Sequence, residues 1–254
     1  MEINGNFKSF DEVLRAYIDK KSESDNKEHD NDWWYASELG FCQRKQFFRR
    51  LGLPVSDPKE YRLKFVAHEG KMSHQWREDA AKEMGVVVES EGSLIDPILK
   101  VRGRFDLLIK LTDHLSLVDI KTQRSEAFFR RAKKPEGEQV ERFQKMQLAC
   151  YVLILKKKYP ELNEARLYYY DRGGGVREEF VFTFSPEMFQ EVESELNTMN
   201  TLWNQQVFPK IKEVPKWQCK YCPWAKICLK VEKSNLDFNQ VKNLYGKKNL
   251  NSEN

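Results

Sequence analysis

The chain has 254 residues, with 43 basic and 39 acidic side chains and a formal charge of +4. It is therefore no polycationic nucleic-acid coat, and any phosphate contact must come from a local basic patch. That length buries one substantial core, or one core plus a small appended module, without needing disulfides. No apolar run approaches the length needed to span a bilayer, and MEINGNFKSF lacks the basic-then-apolar order of a secretory signal. The expected location is cytoplasmic, with no membrane partner, and in a reducing compartment the cysteines are expected as thiols or metal ligands.

Residues 7–20 place Phe7, Phe10, Val13, Leu14, Tyr17 and Ile18 at helical spacing, which predicts a short amphipathic helix. The charged stretch KSESDNKEHDND reads as a solvated linker, so residues 1–32 form an N-terminal helix and polar linker. Ser37 is placed to cap a helix through ELGFCQRKQFFRRL that stops near Gly52. One face of it carries Leu39, Cys42, Phe47 and Leu51. Arg44, Lys45, Arg49 and Arg50 are left over, as either a solvated face or a phosphate-binding patch. A longer helix is expected from Tyr61 to Met84, ended by Gly85 and carrying Gly70 and His74.

The period then changes to two. VVVES, ILKVRGRFDLLIKL and LSLVDIKT read as strands, with TDH as a hairpin turn. Asp106 sits in one strand of that hairpin, and Asp119 and Lys121 flank Ile120 at the end of the other. Asp119 and Lys121 thus point one way while Val118 and Ile120 face the core. Two carboxylates brought together beside an ammonium make a seat for a divalent cation and for a phosphate undergoing attack.

SEAFFRRAKKPEGEQ reads as a basic, irregular segment leading into a helix from about Glu138 to Lys158. Phe143, Met146, Gln147, Cys150, Tyr151 and Ile154 form one stripe of that helix, with Gln147 and Tyr151 on the same face. ARLYYYD and REEFVFTF make a second hairpin through the glycines 173–175, and Ser185 with Pro186 starts a helix to about Gln205. Residues 209–232 contain Cys219, Cys222 and Cys228 as C-x-x-C-x5-C; with Cys42, the four thiolates suit either Zn²⁺ or an iron–sulfur cluster. Cys150, within the helical stripe, packs as a small hydrophobe. Residues 233–254, rich in Asn and Lys, read as a flexible tail.

Gly70 with His74, G-R-F-D with Asp106, D-I-K-T with Asp119 and Lys121, and Gln147 with Tyr151 follow one another in an order that resembles the PD-(D/E)XK nuclease superfamily. The likeness is to the RecB-like branch that includes Cas4 and the nuclease domain of AddB. It implies an α/β, restriction-endonuclease-like core over residues 33–208, with a mixed central sheet flanked by helices. It further implies that Cys42, Cys219, Cys222 and Cys228 hold a [4Fe–4S] cluster, in an Fe–S subdomain that joins the N-terminal segment to residues 209–232. His74, Asp106, Asp119 and the Ile120 carbonyl would hold Mg²⁺ or Mn²⁺, and Lys121 would orient water or stabilise the phosphate. Gln147 and Tyr151 would line the cleft and touch the nucleic-acid backbone or brace Lys121. Some members add a helix-borne Glu, for which Glu69, Glu78 and Glu89 are the choices here.

The function expected from the resemblance is metal-dependent DNA cleavage, as an exonuclease on single strands or DNA ends, with Arg44, Lys45, Arg49 and Arg50 on phosphates. No Walker P-loop is present, so unwinding would fall to a partner helicase. The alternatives are a Cas4 protein that trims spacer precursors beside Cas1, a zinc-stabilised restriction-like endonuclease, and a non-catalytic Fe–S nucleic-acid-binding module.

Overall fold

Strand-period alternation produces a six-stranded mixed sheet in the computed structural model, which describes residues 9–27, 32–57, 61–112, 114–173, 175–211 and 214–246. Its strands are β1 (Trp34–Tyr35), β2 (Val87–Asp96), β3 (Val101–Leu111), β4 (His114–Gln123), β5 (Glu164–Asp171) and β6 (Arg177–Thr183). β3 is the hub. β2 runs antiparallel along it from Asp96↔Val101 to Val87↔Ile109, β4 pairs antiparallel from Leu107↔Val118 to Leu111↔His114, and β1 lies parallel at Val101 and Arg102. β5 is parallel to β4 and forms an antiparallel hairpin with β6. A parallel step requires a crossover, which α4 (Ser125–Ala132) and α5 (Arg142–Leu155) supply.

α5 is buried between the sheet and α6 (Pro186–Asn204). Its Met146, Leu148, Cys150 and Val152 pack with Phe105, Leu108, Leu117 and Leu167 below and Leu196 and Met199 above. The other face of the sheet offers Leu107, Ile109, Val118 and Ile120 to Ala81 of α3 (Tyr61–Glu83). Alternation along β4 therefore sends Val118 and Ile120 towards α3, and Leu117 and Asp119 towards α5. This is the α/β sheet flanked by helices that the sequence implied.

Four stretches differ from the sequence reading. α1 (Phe10–Lys27) runs on through SESDNK, part of the expected linker. Neither Gly nor Pro interrupts it, Arg15 pairs with Asp11 one turn back at 2.7 Å, and buried Ile18 docks it; residues 28–31 lie outside the described residues. The helix expected from Ser37 is split: a 3₁₀ turn (Ala36–Glu38) is followed by Gly40 at φ +73°, and α2 (Gln43–Arg50) starts only after Cys42. The segment read as irregular contains α4, where Phe128 and Arg131 are buried, and α5 begins at a Glu141/Gln144 capping box rather than at Glu138.

The last difference is in the expected tail. Beyond α7 (Lys216–Lys220) and α8 (Ala225–Lys233) comes α9 (Phe238–Tyr245), capped by Asp237 and anchored by buried Phe238 and Val241. Residues 247–254 lie outside the described residues. The two ends of the chain meet through a second apolar cluster in which Phe48 and Leu53 pack with Trp224, Ile227, Val231 and Val241. Trp224 Nε1 donates to the Leu53 carbonyl at 3.1 Å across the same contact. Among the described residues no helix is long and apolar enough to cross a membrane.

Candidate active site

The β3–β4 ladder stops at Leu107↔Val118, and the next residues on the two strands are Asp106 and Asp119. Like charges directly opposite destabilise a sheet, and here the strands part. Asp106 Oδ2 accepts from the Ile120 N–H at 2.7 Å, which satisfies a backbone donor that the ladder has released. On the other flank, the pairs Gly92↔Phe105 and Ser90↔Leu107 set Glu91 opposite Asp106. Glu91 has φ +53°, a left-handed conformation that is costly for a residue with a Cβ and typical of functional strain. Gly92 beside it makes room for the buried Phe105 ring, which would lie 2.2 Å from a Cβ at that position.

Asp119 is only 4% exposed. Gln147 Nε2, from α5, donates to its Oδ1 at 3.1 Å and to the Tyr151 hydroxyl oxygen at 3.0 Å. Its Oδ2 is buried and lies 2.7 Å from Lys121 Nζ, which pairs with it. A buried carboxylate oxygen with spare lone pairs is suited to a hard cation. Burial, reinforced by the charge of Asp119, pushes Asp106 up to about 7. Burial also works against the charge on Lys121, but Asp119 and then Asp106 outweigh it, so its pKa is raised and it remains an ammonium. A general base would need the opposite shift.

His74 reaches the fork from α3, with Nδ1 3.7 Å from Asp106 Oδ2. Gly70, one turn earlier, faces the end of β4, where a Cβ would make ordinary contact with Thr122 Oγ1 at 3.5 Å. Burial, and then the Lys121 charge, lower the His74 pKa, which favours the neutral imidazole that a metal requires. Tyr151 differs from expectation. It is 2% exposed, and its ring fills the space over Gly103, where a Cβ would meet Cε1 at 2.6 Å. Gln147 therefore contacts Asp119 directly, and Tyr151 reaches it only through Gln147.

Of the three candidate auxiliary acids, Glu78 is the buried one. Burial, then the charge and hydrogen bond of Glu91, push it up to about 7. Glu69 is exposed, and Glu89 accepts from the Tyr159 hydroxyl at 2.8 Å and pairs with Lys158. Sequence reasoning missed Glu91. The available signal was an acid before a glycine in the strand preceding G-R-F-D. Among the described residues, no group of three or more His, Cys, Asp or Glu stands ready-made to hold a metal ion.

The cysteines gather where the chain ends meet. The Cys42 N–H donates to Gln218 Oε1 at 3.1 Å, next to Cys219. Burial raises Cys222, and Cys42 and Cys219 raise it further. Burial pushes Cys228 up to about 11, with Arg44 opposing and Cys42 and Cys222 reinforcing the shift. The fifth thiol, Cys150, is fully buried in the core as expected.

The basic helix is corrected by its packing. Arg44 donates to the Pro209 carbonyl at 3.1 and 3.2 Å and pairs with Glu232. Arg49 binds Glu38 at 3.0 Å and the Trp33 carbonyl at 3.0 Å. Arg50 lies over Trp34 and Trp203, 4.4 and 4.3 Å from the ring centroids. Only Lys45 of the four, at 3.3 Å from Glu38, keeps partial exposure without stacking between core rings or binding a distant backbone carbonyl.

An α/β sheet that opens at an acidic fork, with a lysine one residue beyond the second acid and a histidine from the covering helix, defines a nuclease-type scaffold. The chain belongs to the PD-(D/E)XK nuclease superfamily, whose family model matches residues 4–229. Its fold is similar to that of SSO0001, with 18% identity, coverage of 84% of this chain and 94% of that one, and a TM-score of 0.55. The alkaline exonuclease LHK-Exo from Laribacter hongkongensis is more distant, at 15% identity over 68% of this chain and 89% of its own, with a TM-score of 0.45. No curated protein matches the sequence.

Proposed function

We propose that this protein is a divalent-metal-dependent deoxyribonuclease that hydrolyses phosphodiester bonds, acting as an exonuclease on single-stranded DNA or DNA ends. The observation that carries this reading is the fork, where Asp106 and Asp119 meet as the ladder ends and a buried Asp119 oxygen lies against Lys121. The preference for DNA ends rests on the RecB-like order of His74, Asp106, Asp119, Lys121, Gln147 and Tyr151.

His74, Asp106, Asp119 and the Ile120 carbonyl would hold the cation, with the histidine nitrogen favouring Mn²⁺ over Mg²⁺. When bound, the cation supplies an acidified water and neutralises charge on the phosphate. Lys121, kept as an ammonium, places positive charge where the pentavalent phosphate develops negative charge. Gln147 fixes the direction of Asp119, and Tyr151 fixes Gln147. Cys42, Cys219, Cys222 and Cys228 would hold a [4Fe–4S] cluster that pins the chain ends together beside the nuclease core.

The test uses end-labelled single-stranded, duplex and circular DNA with Mn²⁺ or Mg²⁺. Asp119→Ala and Lys121→Ala should each lower cleavage by about a thousandfold while DNA binding stays measurable. Undiminished cleavage by either variant would overturn the site, and digestion of circles by the wild type would overturn the exonuclease assignment.

A further inference from the structure

We propose that a cavity at the N-terminal end of α5 binds one unstacked nucleobase of the DNA strand; this rests on the nuclease reading above and adds a base subsite to it. The cavity encloses about 250 Å³. That is below the roughly 300 Å³ at which pockets for drug-sized ligands begin, and it suits a single heterocycle. Three aromatic rings wall it. Phe41 and Phe143 have centroids 4.1 Å apart, and Trp217 stands edge-on to Phe41 at 6.1 Å and lies 6.1 Å from Phe143.

The cavity is built rather than left over. Gly40, at φ +73°, brings its loop so close to α5 that a Cβ there would lie 2.8 Å from the Phe143 Cα. Glu195 accepts the Gly40 N–H at 3.0 Å and so fixes that approach from α6. The outer wall is held more lightly. Trp217 is 43% exposed on α7, a helix that buries none of its residues. An aromatic ring in that state gains most from a flat partner, because base stacking supplies area at little cost in side-chain entropy. Gln218, tied by its carbonyl oxygen to the Cys42 N–H, leaves its amide NH₂ as the end suited to a base-edge acceptor.

Position supports the assignment. Phe143 precedes Gln147, the residue that holds Asp119, by four positions on α5, about 6 Å along a helix axis. A strand whose phosphate lies at the fork can therefore deliver a neighbouring base to this cavity. Lys210 borders the same opening and is suited to the intervening phosphate.

The experiment needs no variant in its first arm. Wild-type protein, with Ca²⁺ in place of Mg²⁺ or Mn²⁺, is titrated into labelled single-stranded oligonucleotides that carry one abasic site, moved position by position from the end. Affinity should fall about 5- to 150-fold at one or two adjacent positions and little elsewhere, as expected for the loss of one stacked base. Trp217→Ala should lower affinity for the intact strand by a similar factor and flatten the positional profile, and Phe41→Leu, which keeps apolar volume, decides in its place if Trp217→Ala fails to fold. A flat wild-type profile, or a variant with an unchanged profile, overturns the base subsite while the nuclease reading stands on cleavage. Failure of the wild type to bind any strand overturns both.

Discussion

Replacing Asp106 by Asn should stabilise the metal-free protein while abolishing its cleavage of DNA. Burial beside Asp119 pushes Asp106 from an ordinary 3.8 up to about 7. A folded-state pKa raised in this way means that the native state holds the proton more tightly than the unfolded chain. Its contribution to stability is fully present below about 3.8 and is lost as pH rises through about 7. At about 1.36 kcal/mol per unit, complete ionisation costs on the order of 4 kcal/mol. Asn mimics the protonated acid at every pH, and its Oδ1 can still accept the Ile120 N–H.

In urea unfolding with EDTA, the advantage of Asp106→Asn should therefore widen from about 1.5 kcal/mol at pH 5 to about 4 kcal/mol at pH 8. Added Mn²⁺ should stabilise the wild type at pH 8 and leave the variant unmoved. A variant no more stable than the wild type at pH 8, or a gap that fails to narrow at pH 5, would refute the crowded-carboxylate account of the fork.

Anaerobically purified protein should carry about four irons per chain with broad visible absorption; stoichiometric zinc without iron would remove the cluster. Phe238→Ala should cost about 3–5 kcal/mol in denaturant unfolding, because its ring sits 5.1 Å from Phe208 and 5.4 Å from Trp203; a loss under about 1 kcal/mol would return α9 to a flexible tail. Arg49→Ala should cost about 1–3 kcal/mol of stability by removing the donor to the Trp33 carbonyl and leaving Glu38 with Lys45 alone, and leave the salt slope of DNA binding unchanged, a result opposite to that of a phosphate-binding arginine.

The hairpin that carries Asp106, Asp119 and Lys121 was legible because alternation along LSLVDIKT is a local property. Two residues of opposite character on opposite faces need only a strand to be true. Gln147 and Tyr151 were legible as neighbours, but the contact of Gln147 with Asp119 was not. Helical spacing says that they share a face, but it does not say that the face points into the core, where the Tyr151 ring closes on Gly103. Arg44, Arg49 and Arg50 look like a solvated stripe because their partners are supplied by distant chain: Pro209, Glu232 and Trp203 for Arg44 and Arg50, and the segment before α2 for Arg49. Glu91 was passed over for a related reason. It matters only through its place opposite Asp106, which the register of β2 on β3 decides.

The fork balances its own charge. With His74 neutral, Asp106 holding a proton up to about pH 7, and Lys121 paired with Asp119, a proton and an ammonium occupy the electrostatic place of a cation. On the proposed reading, loading the site releases the proton from Asp106 and loosens Lys121 from Asp119, so cation affinity should rise with pH until about 7 and then level off. Glu78 and Glu91 extend this logic outward. Burial and the charge of Glu91 likewise push Glu78 up to about 7.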